Sequence, residues 1–316
     1  MKKHILSTLI IGALSLSVQA AEKQKLSLML DWFVNPDHAA LIVAQQKGFF
    51  AEHNLEVDII EPADPSLPPK LVAAGKTDLA VDYQPQLHIQ VDEKLPLVRI
   101  ATLANSPLNS LVTLENSGIK TLADLKGKKI GYSVSGFETA LLDAMLKSAN
   151  LSNQDVQLIN VNWSLSPSLI SKQVDAVIGS FRNFELNQLA IEGYQGKAFF
   201  PEQYGVPTYD ELIIVANKDK IHETKYQDFV SALQQATDYL NAHPEESWQL
   251  FVSYKPTELD NELNRRAWKD TLPYLSKQPG SFNKANYEKM ADFMLQQGLL
   301  KSKTAVEHYA TELKNK

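Results

Sequence analysis

The sequence predicts an α/β protein of two lobes facing a common cleft, and three observations predict it. At 316 residues the chain is too long for one ordinary hydrophobic core and suits two bodies of about 150 residues each. Short apolar strands alternate with helical segments through two successive runs, the pattern of parallel α/β sheets. One helix–turn–strand phrase occurs twice, at residues 71–81 and 169–178, each time entering an apolar strand through an aspartate, Asp78 and then Asp175. Ligands of open α/β sheets sit outside the carboxyl ends of the strands, so two such lobes place a ligand between them.

Taken in order, residues 25–30 read as a strand, 38–52 as a helix ending near Gly48, and 55–60 as the next strand. Pro62, Pro65, Pro68 and Pro69 then make a stiff loop. Residues 70–74 form a helix closed by Gly75, and 78–81 a strand. A helix after Pro85 and a strand over 97–103 complete a first lobe. A second run begins near Leu111, with a short helix at 121–125, a strand at 129–132 and a helix at 136–148. Strands at 156–161, 175–179 and 196–200 continue it, with helices between them. A strand over 212–216 returns to the first lobe, after which the pattern turns helical, most clearly at 226–240, 245–251 and 286–297. The expected division is residues 21–107 for the first part of lobe 1, 108–210 for lobe 2, and 211–316 for the return to lobe 1.

Residues 1–20 read as a cleaved secretory signal. Lys2 and Lys3 are the basic start, residues 5–18 the apolar stretch, and Val18-Gln19-Ala20 the small-x-small cleavage site. The stretch is short for a bilayer span of about 20 apolar residues, and Ser7, Ser15 and Ser17 dilute it. The expected compartment is the periplasm, with no membrane insertion once the signal is removed. The formal charge of −6 argues against nucleic acid as a partner. The absence of cysteine excludes disulfides, thiolate metal sites and a cysteine nucleophile.

Enzyme motifs find no foothold. Gly75-Lys76-Thr77 is not a P-loop, because Lys70 stands where that loop needs glycine. The seven histidines show no zinc-ligand spacing, no G-x-S-x-G occurs, and no G-x-G-x-x-G opens the helix after Gly131. No catalytic residue, metal or cofactor is expected.

Strand exits supply the candidate binding residues. Asp31 and Trp32 follow the first strand, with Asn35 or Asp37 to cap the next helix and His38 just inside it. Trp32 is either a platform for an aromatic ligand or an inter-lobe core residue, and His38 either a contact or a satisfied core histidine. Asp82 and Tyr83 leave a later strand; Asp82 either meets the ligand or caps the following helix. The turn holding Ser133, Ser135, Gly136 and Phe137 opens a helix, whose free N–H groups either take an anion or are served by an ordinary serine cap. Glu185 either reads an aminopyrimidine edge or is solvated at a helix start. Tyr209 and Glu211 stand near the crossing between lobes.

The run Asp31-Trp32-Phe33 with Asn35 and His38, then Ala63 to Lys76, Tyr83 to Gln86, Pro107 to Ser110 and Tyr204 to Pro207, resembles the bacterial formylaminopyrimidine-binding proteins of thiamine-precursor uptake. The broader group includes thiamine-pyrimidine synthases, which share the fold and consume pyridoxal phosphate and an active-site histidine. The resemblance implies a type II periplasmic binding fold, two crossing segments, and an ABC importer's permease and ATPase as partners. It also implies that Trp32 and Tyr83 sandwich a ring, that Glu185 reads its amine and nitrogen, and that Asn109 and the turn from Ser133 to Phe137 address its substituent. Two departures count against the synthase branch: Asp82 stands where its lysine would hold pyridoxal phosphate, and its cysteine cluster would fall at residues 206–210, where this chain has none. Asp82 raises a second ligand, because a carboxylate is the common partner of a pyridoxal nitrogen and the 133–137 turn could take that ligand's phosphate. The expectation is thus a substrate-binding protein for a thiamine pyrimidine precursor, with a vitamin B6 form such as pyridoxal 5′-phosphate as the alternative.

Overall fold

The computed structural model describes residues 22–313, so the signal segment expected at 1–20 lies outside the described residues. Ten strands divide into two five-stranded sheets of the same plan. The first is ordered β2-β1-β3-β10-β4, from β1 (Gln24–Met29), β2 (Leu55–Ile60), β3 (Leu79–Asp82), β4 (Leu97–Ala104) and β10 (Leu212–Asn217). The second is ordered β7-β6-β8-β5-β9, from β5 (Asn109–Leu114), β6 (Lys129–Tyr132), β7 (Gln157–Asn160), β8 (Ala176–Phe181) and β9 (Gly196–Phe199).

The expected parallel sheets need one correction. In each sheet one strand runs against the others: β10 is antiparallel to β3 and β4, and β5 is antiparallel to β8 and β9. These are the strands that enter each sheet from the opposite lobe, so they arrive from the far end. The repeated aspartates do the same work twice. Asp78, just before β3, accepts the Ser27 amide of β1 at 2.9 Å, and Asp175, just before β8, accepts the Lys129 amide of β6 at 2.8 Å. Each ties the loop entering its strand to the neighbouring strand, which is why the phrase recurs.

The helices, in chain order, are α1 (Ala39–Lys47), α2 (Phe49–Glu52), α3 (Pro68–Ala73), α4 (Gln84–Asp92), α5 (Phe137–Lys147), α6 (Leu165–Ile170), α7 (Glu185–Ile191), α8 (Thr224–Ala242), α9 (Pro244–Tyr254), α10 (Pro256–Leu259), α11 (Glu262–Thr271) and α12 (Lys284–Gln296). The helix expected over 38–52 divides at Gly48, whose left-handed φ of 86° ends α1 and starts α2. Helix α1 packs on α8 and α9 beneath the first sheet. None of the described helices is long and apolar enough to cross a membrane.

Two segments join the lobes, one between β4 and β5 and one between β9 and β10. Glu211 binds them together: its Oε2 accepts the amides of Leu108 at 2.6 Å and Asn109 at 2.8 Å. Beside it, Asp210 accepts the hydroxyls of Thr102 and Tyr287 at 3.0 and 3.1 Å.

Candidate functional site

A cavity lies between the two sheets, the position at which open α/β sheets take their ligands. Its walls come from the carboxyl ends of β1 and β3 in the first lobe and of β6 and β8 in the second. From β1 come Asp31, Trp32, Asn35 and Asp37, and from β3 comes Tyr83. From β6 come Val134 and Glu138, from β8 come Gly179, Phe181, Phe184 and Glu185, and Leu165 closes one side.

The segment after β1 is held by a compact cap. The Asn35 side chain accepts the Asp37 amide at 2.8 Å, and the Asn35 amide donates to His38 Nδ1 at 3.3 Å. With Nδ1 accepting, the His38 proton sits on Nε2 and is donated to Asp31 Oδ1 at 2.8 Å. The other Asp31 oxygen accepts the Tyr83 hydroxyl at 2.8 Å. Both Asp31 oxygens are therefore engaged, and Asp31 and His38 act by positioning Tyr83 and the loop.

The two lobes exchange aromatic rings. Trp32 leaves the first lobe and packs with Val161, Leu165, Leu169 and Val177 in the core of the second, its ring 4.5 Å from that of Trp163. Phe137 of the second lobe sits in the core of the first and stacks on Tyr83 at 4.9 Å and 18°. Asn183 adds a polar link, donating to Asp37 Oδ1 at 2.6 Å and to Thr271 Oγ1 at 2.7 Å.

The cavity is acidic. Burial pushes Glu138 and Glu185 up to about 8, opposed by backbone N–H donors: Ser133 and Val134 for Glu138, Phe181 and its own amide for Glu185. Asp37 is pushed up to about 6 by burial, with His38 and the Asn183 side chain opposing. Its Oδ2 has no protein partner. A ligand carrying an amine and a protonatable ring nitrogen would supply the donor that Asp37 Oδ2 lacks, and its positive charge would favour the ionised form of the buried glutamates.

Of the residues expected from the sequence, Asp31, Trp32, Tyr83 and Glu185 line the cavity. Several others lie behind the wall. His38 is fully buried against Asp31, and Asn109 accepts the Gly179 amide at 3.1 Å. Ser133 donates its hydroxyl to the Asn162 carbonyl, Ser135 is exposed, Gly136 begins α5 beside Gln86, and Phe137 is buried under Tyr83. Tyr209 meets the edge of Phe137, and Glu211 serves the crossing. Asp82 does not line the cavity. Successive strand residues point to opposite faces, and since Tyr83 turns to the cleft, Asp82 turns into the first lobe beside Gln90. There burial pushes its carboxyl up to about 8.

Glu138, Gly179, Phe181 and Phe184 were not singled out from the sequence, although each lies in or beside a strand exit that was. Their signal was position: Glu138 is the second residue of α5, one turn from the loop it caps. No group of side chains suited to a metal ion occurs among the described residues.

These features can be set beside known proteins. Over 303 residues, 96% of each chain, the protein is 62% identical to a Haemophilus influenzae protein named a thiamine biosynthesis protein. It is 35% identical to the formylaminopyrimidine-binding protein of Halalkalibacterium halodurans over 201 residues, 64% of this chain and 61% of that one. A 4-amino-5-hydroxymethyl-2-methylpyrimidine phosphate synthase of Saccharomyces cerevisiae is 27% identical over 267 residues, 80% of this chain and 77% of that one. The alkanesulfonate-binding protein SsuA of Xanthomonas axonopodis pv. citri superposes with a TM-score of 0.72 at 17% identity, covering 92% of this chain and 99% of that one. That likeness establishes the periplasmic binding protein fold. The sequence profile described as NMT1/THI5 like matches residues 35–247, the span carrying every residue that lines the cavity except Asp31 and Trp32, and the chain belongs to that family.

Proposed function

We propose that this protein is the exported substrate-binding component of an ABC importer and captures a thiamine pyrimidine precursor by closure of its two lobes. In this reading residues 21–107 and 211–316 form one lobe, 108–210 the other, and the permease and ATPase of the importer are its partners. The observation that carries it is a cavity built by strand exits of both lobes, with aromatic walls, several buried carboxyls and an Asp37 Oδ2 that has no protein partner. Trp32 and Tyr83 pack on the pyrimidine ring, and Glu185 and Asp37 receive its amine and ring nitrogen. Because the ligand touches both lobes, it favours the closed arrangement over the open one.

The relative named for formylaminopyrimidine binding supports this ligand class. The vitamin B6 alternative depended on Asp82 meeting a pyridine nitrogen, and Asp82 is turned away from the cavity. A synthase role is disfavoured by the lack of cysteine and by His38, which is buried behind the wall and held at both ring nitrogens.

Isothermal titration of the protein from Ala21 onward with formylaminopyrimidine tests the reading. Saturable heat, weakened by about 1.5–3 kcal/mol in Glu185→Gln, is expected for loss of a charge-assisted hydrogen bond. An absence of heat with the pyrimidine, or full affinity in the variant, refutes the ligand or the role of Glu185 respectively.

A further inference from the structure

The chain leaving β8 for α7 gives Phe181, Phe184 and Glu185 to the cavity wall, yet Asn183, among them, is not part of that wall and reaches the other lobe instead. Asn183 is buried, and its amide nitrogen donates to two side chains of the first lobe. One is Asp37 Oδ1 at 2.6 Å, the other Thr271 Oγ1, at the end of α11, at 2.7 Å. The next turn of α7 repeats the reach. Asn187 Nδ2 donates to Asp270 Oδ2 of α11 at 2.7 Å and to the Asn183 carbonyl at 2.9 Å. Two asparagines, one buried and one half-buried, thus join α7 to α11 and to the loop after β1.

Asp37 is where this link meets the cavity. Its amide is fixed by the Asn35 side chain at 2.8 Å, and its carboxyl divides in two. Oδ1 accepts from Asn183, while Oδ2, buried as well, has no protein partner. A carboxylate held by one oxygen has its plane fixed, so the direction of the free oxygen is set from the opposite lobe. Charge decides the strength of the bond. Burial and the nearby Asp31 disfavour the ionised form of Asp37, whereas His38, Asn183 and Thr271 favour it. Held to about 6, Asp37 carries its charge at neutral pH, while Glu138 and Glu185, at about 8, are largely protonated there. A cationic donor on Oδ2 favours the same ionised form, which is the stronger acceptor for Asn183, so the two bonds reinforce each other.

We propose that Asn183 is a positioning residue for ligand capture: acting through Asp37, it couples recognition of the ligand's donor group to closure of the lobes. With the lobes apart, Asp37 loses the Asn183 donor and holds a ligand less well. With the cavity empty, Asn183 gains less from closing, and by linkage the two effects are equal in size. The group recognised at Oδ2 is a nitrogen donor that carries or can carry positive charge, such as an aminopyrimidine edge. The choice of ligand rests on the proposed function; the link from Asp37 to α7 and α11 rests on geometry alone.

The test is a double-mutant cycle in which wild type, Asn183→Ala, Asp37→Ala and the double variant are titrated calorimetrically with formylaminopyrimidine. The number of sites guards against misfolding, because a folding defect lowers that number and leaves the affinity of the remaining sites unchanged. Should Asp37→Ala not fold, Asp37→Asn takes its place, since a neutral amide offers Asn183 no charge to bond. Asn183→Ala alone is expected to weaken binding by about tenfold or more with the site number intact, the loss of one charge-assisted bond. In the Asp37→Ala background the same substitution should cost about threefold or less. An affinity within about twofold of wild type in Asn183→Ala, or an equal loss in both backgrounds, overturns the proposal. If wild type binds no pyrimidine, the ligand reading fails separately, and small-angle scattering of the ligand-free proteins then decides on the link. A larger radius of gyration in Asn183→Ala and Asp37→Ala than in wild type supports it, and coincident profiles overturn it.

Discussion

Replacing Glu211 tests whether the crossing between the lobes is held by one side chain. Glu211 is wholly buried, and its Oε2 accepts two amides, Leu108 at 2.6 Å and Asn109 at 2.8 Å, from the segment running the other way. Burial pushes its carboxyl up to about 7, although both amides and the Tyr209 hydroxyl oppose the shift. Glu211→Ala leaves two buried N–H groups without acceptors, each worth about 1–3 kcal/mol, so the expected loss is about 2–6 kcal/mol. Glu211→Gln keeps an oxygen for the amides and gives up only the charge assistance, an expected loss of about 1–1.5 kcal/mol. Urea unfolding at pH 7, with the free energy extrapolated to water, measures both. Equal losses in the two variants, or a loss below about 1 kcal/mol in Glu211→Ala, would falsify the claim that these two bonds secure the crossing.

Three further outcomes follow from the geometry. Phe137→Ala removes a ring that belongs to the second lobe by sequence and to the first lobe's core by packing; an expected loss of about 3–5 kcal/mol in urea should come with weaker ligand binding, and unaltered binding would contradict its part in closure. Gly179→Ala forces an alanine to a φ of 98° and drives its Cβ into the Glu138 carboxyl, so folding should weaken by at least about 1–2 kcal/mol, and a neutral result would show that the carboxyl has room to move. Between about pH 5 and 8 the ligand-free protein should melt at progressively lower temperature. The folded values of Asp82, Glu138 and Glu185, about 8, and of Glu211, about 7, lie above the usual carboxylate range, so the folded state binds more protons than the unfolded chain. Stability from these groups is complete at low pH and lost as pH rises through those values; a melting temperature that climbs over this interval would show that they are ionised in the fold.

The strands were legible because each is a short apolar run bounded by turn residues; the register β1 to β2, Leu26 opposite Val57, follows runs visible in the sequence. The direction of β5 and β10 was not, because a strand's own residues do not record from which lobe it enters. Helix α11 escaped notice for a local reason: Glu262, Arg265, Arg266, Lys269 and Asp270 crowd its surface, and only Asn264, Ala267, Trp268 and Thr271 are buried. At the site, strand exits could be read but side-chain direction could not. Asp82 and Tyr83 were both chosen, whereas the alternation of a strand admits one of them to the cleft. Asp31 and His38 were chosen as contacts, yet their bonds to Tyr83 and Asn35 exist only once the loop after β1 has folded back on itself.

The placement of β10 also governs the order in which the lobes can form. Every strand of the second sheet lies between Asn109 and Phe199, an uninterrupted stretch that can pair as soon as it is free. The first sheet must wait: β10 sits between β3 and β4, with Val215 opposite both Ala80 and Arg99, so the place between those two strands stays vacant until residues 212–217 are available. Such distant pairing is slow and leaves apolar strand edges uncovered meanwhile. A chain emerging from its amino end therefore completes its middle first and its beginning last.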